Sequence, residues 1–263
     1  MPNHLTYPFK TMRITQSYNG TTSHYPHTVG SPKDYPIDEG GADGGRDPVY
    51  APCDLVVKRV YGIGNSGVNT VWLESTEPVK LANGKTDYIT IMLTHPNDSD
   101  VKRLKPGMKI PKGSYICYEG MDGATGNHIH MSVGQGHFSG NGWTPKAYKD
   151  KSGKTKYKYV LTTTGGTLKP EDAFYIDPAF TTVKDSKGLK FKTLPKDEPK
   201  PGKYTVNTDA LNVRDGTAKG CHIKDVLTRG TKVDIDHVKI GWNGDYWGKI
   251  IGKGWVDMTY LKK

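Results

Sequence analysis

The 263-residue sequence predicts an all-β protein, an antiparallel β-sheet domain followed by a small β-barrel. Three observations carry that expectation. Gly (32) and Pro (17) are abundant while hydrophobic residues make up only 34%, a mix that favours short strands joined by turns. Runs of about four to eight residues alternate between apolar and polar side chains, the period of a half-buried strand. Almost no window carries the ~3.6-residue period of an amphipathic helix.

The elements follow in order. Residues 11–18 make the first expected strand, ended by the turn pair Asn19-Gly20. A loop over 21–36 holds His24 and His27 and leads through Ile37-Asp38 into the glycine-rich stretch 39–45. That stretch lacks the Lys-Ser/Thr of a phosphate loop. Val49-Tyr50-Ala51-Pro52 opens a strand that runs to Tyr61. Two more are expected at 69–74 and 87–94, the second ending at His95, then turns around a short strand at 101–113 and a strand at 114–119. Residues 128–133 complete a β-meander. The pattern weakens over 137–185, where 154–164 suits a further strand or hairpin arm and 168–174 a short helical turn. Residues 193–202, with three prolines and four charges, read as a linker. The chain restarts at 203–263 with short strands at 211–214, 232–238, 246–251 and 254–256. The expected domains are therefore 1–192 (core about 10–135, extension 136–192) and 203–263, the latter near the lower size limit for an independent β domain.

Net charge is +10, which favours an anionic partner such as nucleic acid, an acidic membrane face or a phosphate-bearing wall polymer. A nucleic-acid reader would show a basic helix or a stacking motif, and neither is present. The lysines at 146, 149, 151, 154, 156 and 158 fit a solvated hairpin. Cys53, Cys117 and Cys221 are too few and too far apart for a disulfide framework or a Cys-type zinc site. The first residues show no basic segment followed by an apolar run, so no secretory leader is expected, and no run nears the ~20 apolar residues of a membrane span. The chain is expected to be a monomer made in the cytoplasm.

The chemistry concentrates at Gly126-Asn127-His128-Ile129-His130-Met131. Residues i and i+2 of a strand project from one face, so His128 and His130 would stand side by side with Ile129 turned into the core. A catalytic zinc site needs three protein ligands and an open fourth position. His24 or His27, Asp38, and one of His128 and His130 could supply a His2Asp set. The other strand histidine and His95 would remain free to move protons and polarise a carbonyl.

The ordered motifs Gln16-Ser17-Tyr18-Asn19-Gly20, Ser23-His24, Tyr35-Pro36-Ile37-Asp38, Pro48-Val49-Tyr50-Ala51-Pro52, Thr94-His95, Pro106-Gly107, Lys112-Gly113 and Gly126-Asn127-His128-Ile129-His130 resemble the lysostaphin-type zinc metallopeptidases. Those enzymes cleave the peptide stems or cross-bridges of bacterial peptidoglycan. The resemblance spans roughly residues 10–135. It implies Zn2+ held by His24, Asp38 and His130, with His95 and His128 as the catalytic pair. Many members place the first ligand four residues before the Asp, where this chain has Asp34. Ser-His after a Tyr-Asn-Gly turn fits better and selects His24, with His27 as the fallback and Asp34 after it. Loop glycines 40, 41, 44, 45 and 126 would keep a groove open for an extended peptide.

Residues 203–263 resemble a bacterial SH3-like wall-binding domain. Leu211-Asn212-Val213-Arg214-Asp215-Gly216 matches its opening strand and turn, and Gly254-Trp255-Val256 its closing strand. Trp255 is then expected in the core, with Trp242 and Tyr246 on a binding face. The implied whole is a phage endolysin released through a holin pore, with peptidoglycan as partner, no nucleic acid and no membrane insertion. The alternative is a non-catalytic wall-binding or phage structural protein on a degenerate peptidase fold.

Overall fold

The computed structural model describes residues 4–19, 24, 34–64, 67–149, 152–195, 199–241 and 245–263. The protein is all-β: apart from a 3-10 turn, helix among the described residues is confined to two four-residue turns, Asp98–Val101 and Pro170–Ala173. No described helix is long and apolar enough to cross a membrane. The chain divides into two compact units, Met1–Leu194 and Pro195–Lys263.

The first unit is built on a nine-stranded sheet. Its strands include β1 (Thr11–Gln16), β2 (Ile37–Glu39), β3 (Leu55–Tyr61), β4 (Thr70–Ser75), β5 (Ile89–Thr94) and β6 (Ile129–Gln135). Spatial order is β1-β2-β6-β5-β4-β3, so β6 inserts between β2 and β5. The expected meander is therefore corrected: alternation fixes which face a strand buries, and says nothing of which neighbour it takes. Lys109–Ile110 extends the sheet beyond β3. Thr182–Asp185 adds to β1 in parallel, against an otherwise antiparallel pattern in this sheet. The strand expected at 114–119 is Tyr115–Tyr118, paired with Pro48–Tyr50 outside the main sheet.

Each face follows from the period of two. Ile89, Ile91 and Leu93 of β5 and Ile129, Met131 and Val133 of β6 are buried in one core cluster with Val71 and Leu73 of β4. The intervening residues, Thr90, Met92 and Thr94 on β5 and His130 and Ser132 on β6, belong to the opposite face. One cross-strand row on that face runs Asp38, His130, Thr94, Thr70, Tyr61. The next runs Ser132, Met92, Trp72, Arg59. On β3 the buried positions are Leu55 and Val57, after which the register shifts between Val57 and Arg59 and Val60 packs on the core. This β-bulge changes the strand's phase and turns Arg59 and Tyr61 to the polar face.

The core also reaches beyond the expected 10–135. Leu5, Tyr7, Phe9, Ala173, Phe174, Ile176 and Leu189 join the same cluster. Tyr7 meets the Phe174 ring edge-on at 5.8 Å, so the two ends of this unit close on one another. The weak region 137–163 forms a long hairpin, β7 (Phe138–Lys149) with β8 (Thr155–Thr163). Its base is tied to the sheet by Trp143 and Leu161 packing with Trp72 and Met92. Trp72 Nε1 also donates to the Gly142 carbonyl at 3.0 Å. A Cβ on Gly142 would lie 2.6 Å from that nitrogen, so the close approach requires glycine. The described lysines 146, 149, 154 and 156 are exposed on the hairpin.

The second unit is a seven-stranded antiparallel sheet around Tyr204, Val206, Leu211, Val213, Ile235, Val256 and Met258. Among its described residues the fully buried tryptophan is Trp247, at 1% exposure. Trp255 is partly exposed under the Lys239 ammonium, 5.6 Å away, which corrects its expected place in the core. Tyr246 is partly buried against the core, and Trp242 lies outside the described residues.

Candidate metal and catalytic site

The row Asp38–His130 marks the site. β2 and β6 pair so that Asp38 stands directly opposite His130, and the Asp38 Oδ1 to His130 Nδ1 distance is 3.0 Å. His24 approaches from the segment after β1, buried to 1% exposure. Its Nε2 is 3.1 Å from Asp38 Oδ1 and 3.1 Å from His130 Nδ1. Three donor atoms thus form a near-equilateral triangle. Tetrahedral zinc with bonds of ~2.0–2.1 Å spaces its ligand atoms ~3.3–3.4 Å apart, so the set fits zinc with little rearrangement. Among the described residues this is the one group of three or more His, Cys, Asp or Glu arranged to hold a metal.

Neighbouring groups set the donors' chemical form. A carbonyl only accepts hydrogen bonds, so the 3.0 Å contact from His24 Nδ1 to the Ser17 carbonyl places the proton on Nδ1 and leaves the Nε2 lone pair facing the triangle. Asp38 Oδ2 accepts from Gln16 Nε2 at 3.1 Å. Burial opposes the Asp38 charge, but the His130 and His24 imidazoles beside it outweigh it and hold the carboxyl well below the usual carboxylate range. The site thus places a carboxylate between imidazoles.

Two further histidines face it. The His128 ring lies 4.6 Å from that of His95, and His128 Nε2 is 3.8 Å from Asp38 Oδ1. His128 Nδ1 donates to the Gly126 carbonyl at 2.9 Å, and His95 Nδ1 to the Asp122 carbonyl at 2.7 Å. Both rings therefore present a basic Nε2. Burial, reinforced by His128 and His130, pushes His95 down to about 4, against the Asp122 hydrogen bond and Asp38. It stays a neutral base across the physiological range. His95 has φ +84°, a left-handed backbone that costs a non-glycine residue ~1–3 kcal/mol. Gly120 makes the approach possible: it exchanges backbone hydrogen bonds with His128, and a Cβ there would lie 2.4 Å from the His95 carbonyl oxygen.

A cleft of about 690 Å3 opens over these groups. Asp38, His95, His128 and His130 line one end, Thr70, Met92 and Thr94 the floor, and Arg59, Tyr61, Trp143 and Tyr159 the other end. The structure thus brings His24, Asp38, His95, His128 and His130 together. Asp34 is buried, accepts from the Tyr35 N–H at 3.0 Å and is not in the triangle; His27 lies outside the described residues.

The glycine expectation is corrected. Gly67 lines the cleft, whereas glycines 40, 41, 44, 45 and 126 do not. Gly41, at φ +58°, is instead packed against Asp47, whose Oδ2 a Cβ would meet at 2.2 Å. The far end of the cleft was not visible as a site. Trp143 and Tyr159 sit in the weakly patterned region, and only the broken alternation Val57-Lys58-Arg59-Val60 hints at Arg59.

No family model matches the chain, and no curated protein does. Among solved structures, the NMR solution structure of lysostaphin is similar at 15% identity, covering 86% of this chain and 80% of that one, with a TM-score of 0.33. A structure of the antimicrobial peptidase lysostaphin from Staphylococcus simulans is similar at 16% identity, covering 97% and 91%, with a TM-score of 0.34. Likeness at that level carries no functional argument.

Proposed function

We propose that the chain is a zinc-dependent endopeptidase that hydrolyses peptide bonds in the stem or cross-bridge of bacterial peptidoglycan. The observation that carries the reading is the triangle of His24 Nε2, Asp38 Oδ1 and His130 Nδ1, 3.0–3.1 Å on each edge, beside two histidines with unprotonated Nε2 atoms. The wall substrate rests on the motif resemblance to the lysostaphin-type peptidases.

His24, Asp38 and His130 would hold the zinc. Bound there, zinc supplies a Lewis acid for the substrate carbonyl and makes water acidic enough to react near neutral pH. The chain's own residues do the rest. Asp38, held well below the usual carboxylate range by the imidazoles beside it, offers Oδ1 as a charged oxygen donor. His95, neutral and held by Asp122, takes a proton at Nε2. His128, held by Gly126, presents its own Nε2 to the same space, and a proton taken from water by either ring is the one handed on to the leaving amine. The cleft floor of Thr70, Met92 and Thr94 carries the extended peptide.

In this reading residues 203–263 form an SH3-like module that anchors the monomer to the wall and raises its local concentration there. The protein is a phage endolysin, made in the host cytoplasm and acting after holin-type release. Metal analysis and a turbidity assay test the core of the proposal. Near-stoichiometric zinc and chelator-sensitive clearing of purified walls are expected. A zinc-free protein that binds walls without clearing them would instead mark a non-catalytic wall-binding or phage structural protein.

A further inference from the structure

The end of the cleft opposite the histidines is built around a cation. The Arg59 guanidinium lies 5.3 Å from the Tyr61 ring, 5.2 Å from Trp72 and 5.5 Å from Trp143, and it donates to the Asn141 carbonyl. Those contacts fix the plane of the fork without neutralising it. Among the described residues no carboxylate pairs with Arg59; the nearby Glu74 pairs with Lys58 and His137. The bulge at Lys58 is what aims this side chain into the cleft. A charged, preorganised fork that lines a groove and lacks an acidic partner is suited to a carboxylate from outside.

We infer that Arg59 is a carboxylate-binding subsite, so that the peptide cleaved is an anionic one rather than a neutral run such as glycine. The inference rests on the peptidase reading above. Register gives the spacing. Arg59 is three strands over and two residues along from His130. Strands lie ~4.8 Å apart and residues ~3.3 Å apart along a strand, so the two positions are ~16 Å apart. An extended peptide covers ~3.3–3.6 Å per residue, which puts the carboxylate about four to five residues from the scissile bond.

The test uses the full chain and synthetic peptides of wall stem and cross-bridge sequence, with any bond cut located by mass spectrometry. Each pair differs only by Glu or Gln at one position, walked outward on both sides. The expected result is a kcat/KM preference for Glu of about tenfold or more, the scale of one charge-assisted hydrogen bond, peaking at that spacing. Arg59→Gln should bring the ratio near one, by lowering kcat/KM on the Glu peptide far more than on the Gln peptide. Arg59→Lys should keep part of the preference. Equal rates on both peptides with wild-type protein overturn the inference whether or not the variants fold. So does an Arg59→Gln protein with a wild-type melting temperature that slows both peptides alike. Calorimetric binding of the same pairs to metal-free protein separates the two claims. No cleavage, but Glu-selective binding lost in Arg59→Gln, sinks the peptidase and keeps the subsite. Cleavage with no selectivity keeps the peptidase and sinks the subsite.

Discussion

The two histidines that flank Ile129 should part company when each is removed. His130 Nδ1 stands 3.0 Å from Asp38 Oδ1 and 3.1 Å from His24 Nε2, so His130→Ala deletes one corner of the triangle. Two donors remain, and zinc is expected to fall to background after dialysis. His128 Nε2 is 3.8 Å from Asp38 Oδ1 and makes no edge of the triangle. As an outer neighbour its loss costs at most about 10–100-fold in zinc affinity, so His128→Ala stays loaded when zinc is supplied in excess. Removing a proton-transfer group costs about 10²–10⁴ in rate, or ~3–5 kcal/mol of barrier. Metal content by mass spectrometry and initial rates on a wall peptide, measured on the same samples, give both numbers. A zinc-free His128→Ala, or a His130→Ala that keeps metal and activity, would show the roles to be misassigned.

Three other outcomes are expected. His95→Asn, chosen because Asn tolerates positive φ, should keep zinc and fold while losing about 10²-fold or more in kcat; single-turnover rates check it. Burial, with Asp47 and Glu39 adding to it against the Asp47 backbone hydrogen bond, pushes Glu119 up to about 8. A raised folded-state value stabilises fully below the ordinary value near ~4.5 and is lost as pH rises through about 8. Urea melts of Glu119→Gln should therefore lose about 1–3 kcal/mol of the wild type's decline between pH 5 and 8, and parallel pH slopes would refute this. Phe174→Ala, deep in the core beside Tyr7, should cost about 3–5 kcal/mol, read as a lowered urea midpoint.

Much of the site was legible because a strand's period is two. Ile129 between His128 and His130 fixes which face carries the imidazoles, and the Asp38 motif sits in a strand that pairs with them. What stayed hidden depends on long-range contacts or broken periods. Nothing local says that Leu5, Tyr7 and Phe9 meet Phe174. The bulge after Val57 reverses the phase of β3, so simple alternation would send Arg59 to the core. The β7–β8 hairpin carries lysines and tyrosines on exposed positions, and without an apolar face along its length it has no strong pattern to read. Trp247, not Trp255, fills the core of the second unit because two adjacent strands each offer a tryptophan, and only packing decides between them.

The insertion of β6 between β2 and β5 has a kinetic consequence. The ligand pairs His24–His130 and Asp38–His130 are separated by 106 and 92 residues, so the site closes only through contacts of high contact order, which form slowly. During synthesis, β2 and β5 must wait with open edges until residues 129–135 emerge to fill the gap. A ribosome-bound chain ending before His128 holds just two of the three donors. The three-donor cluster would thus assemble in one late step, and the same slot makes the β2 and β5 edges the places where a stalled chain is most exposed to wrong pairing.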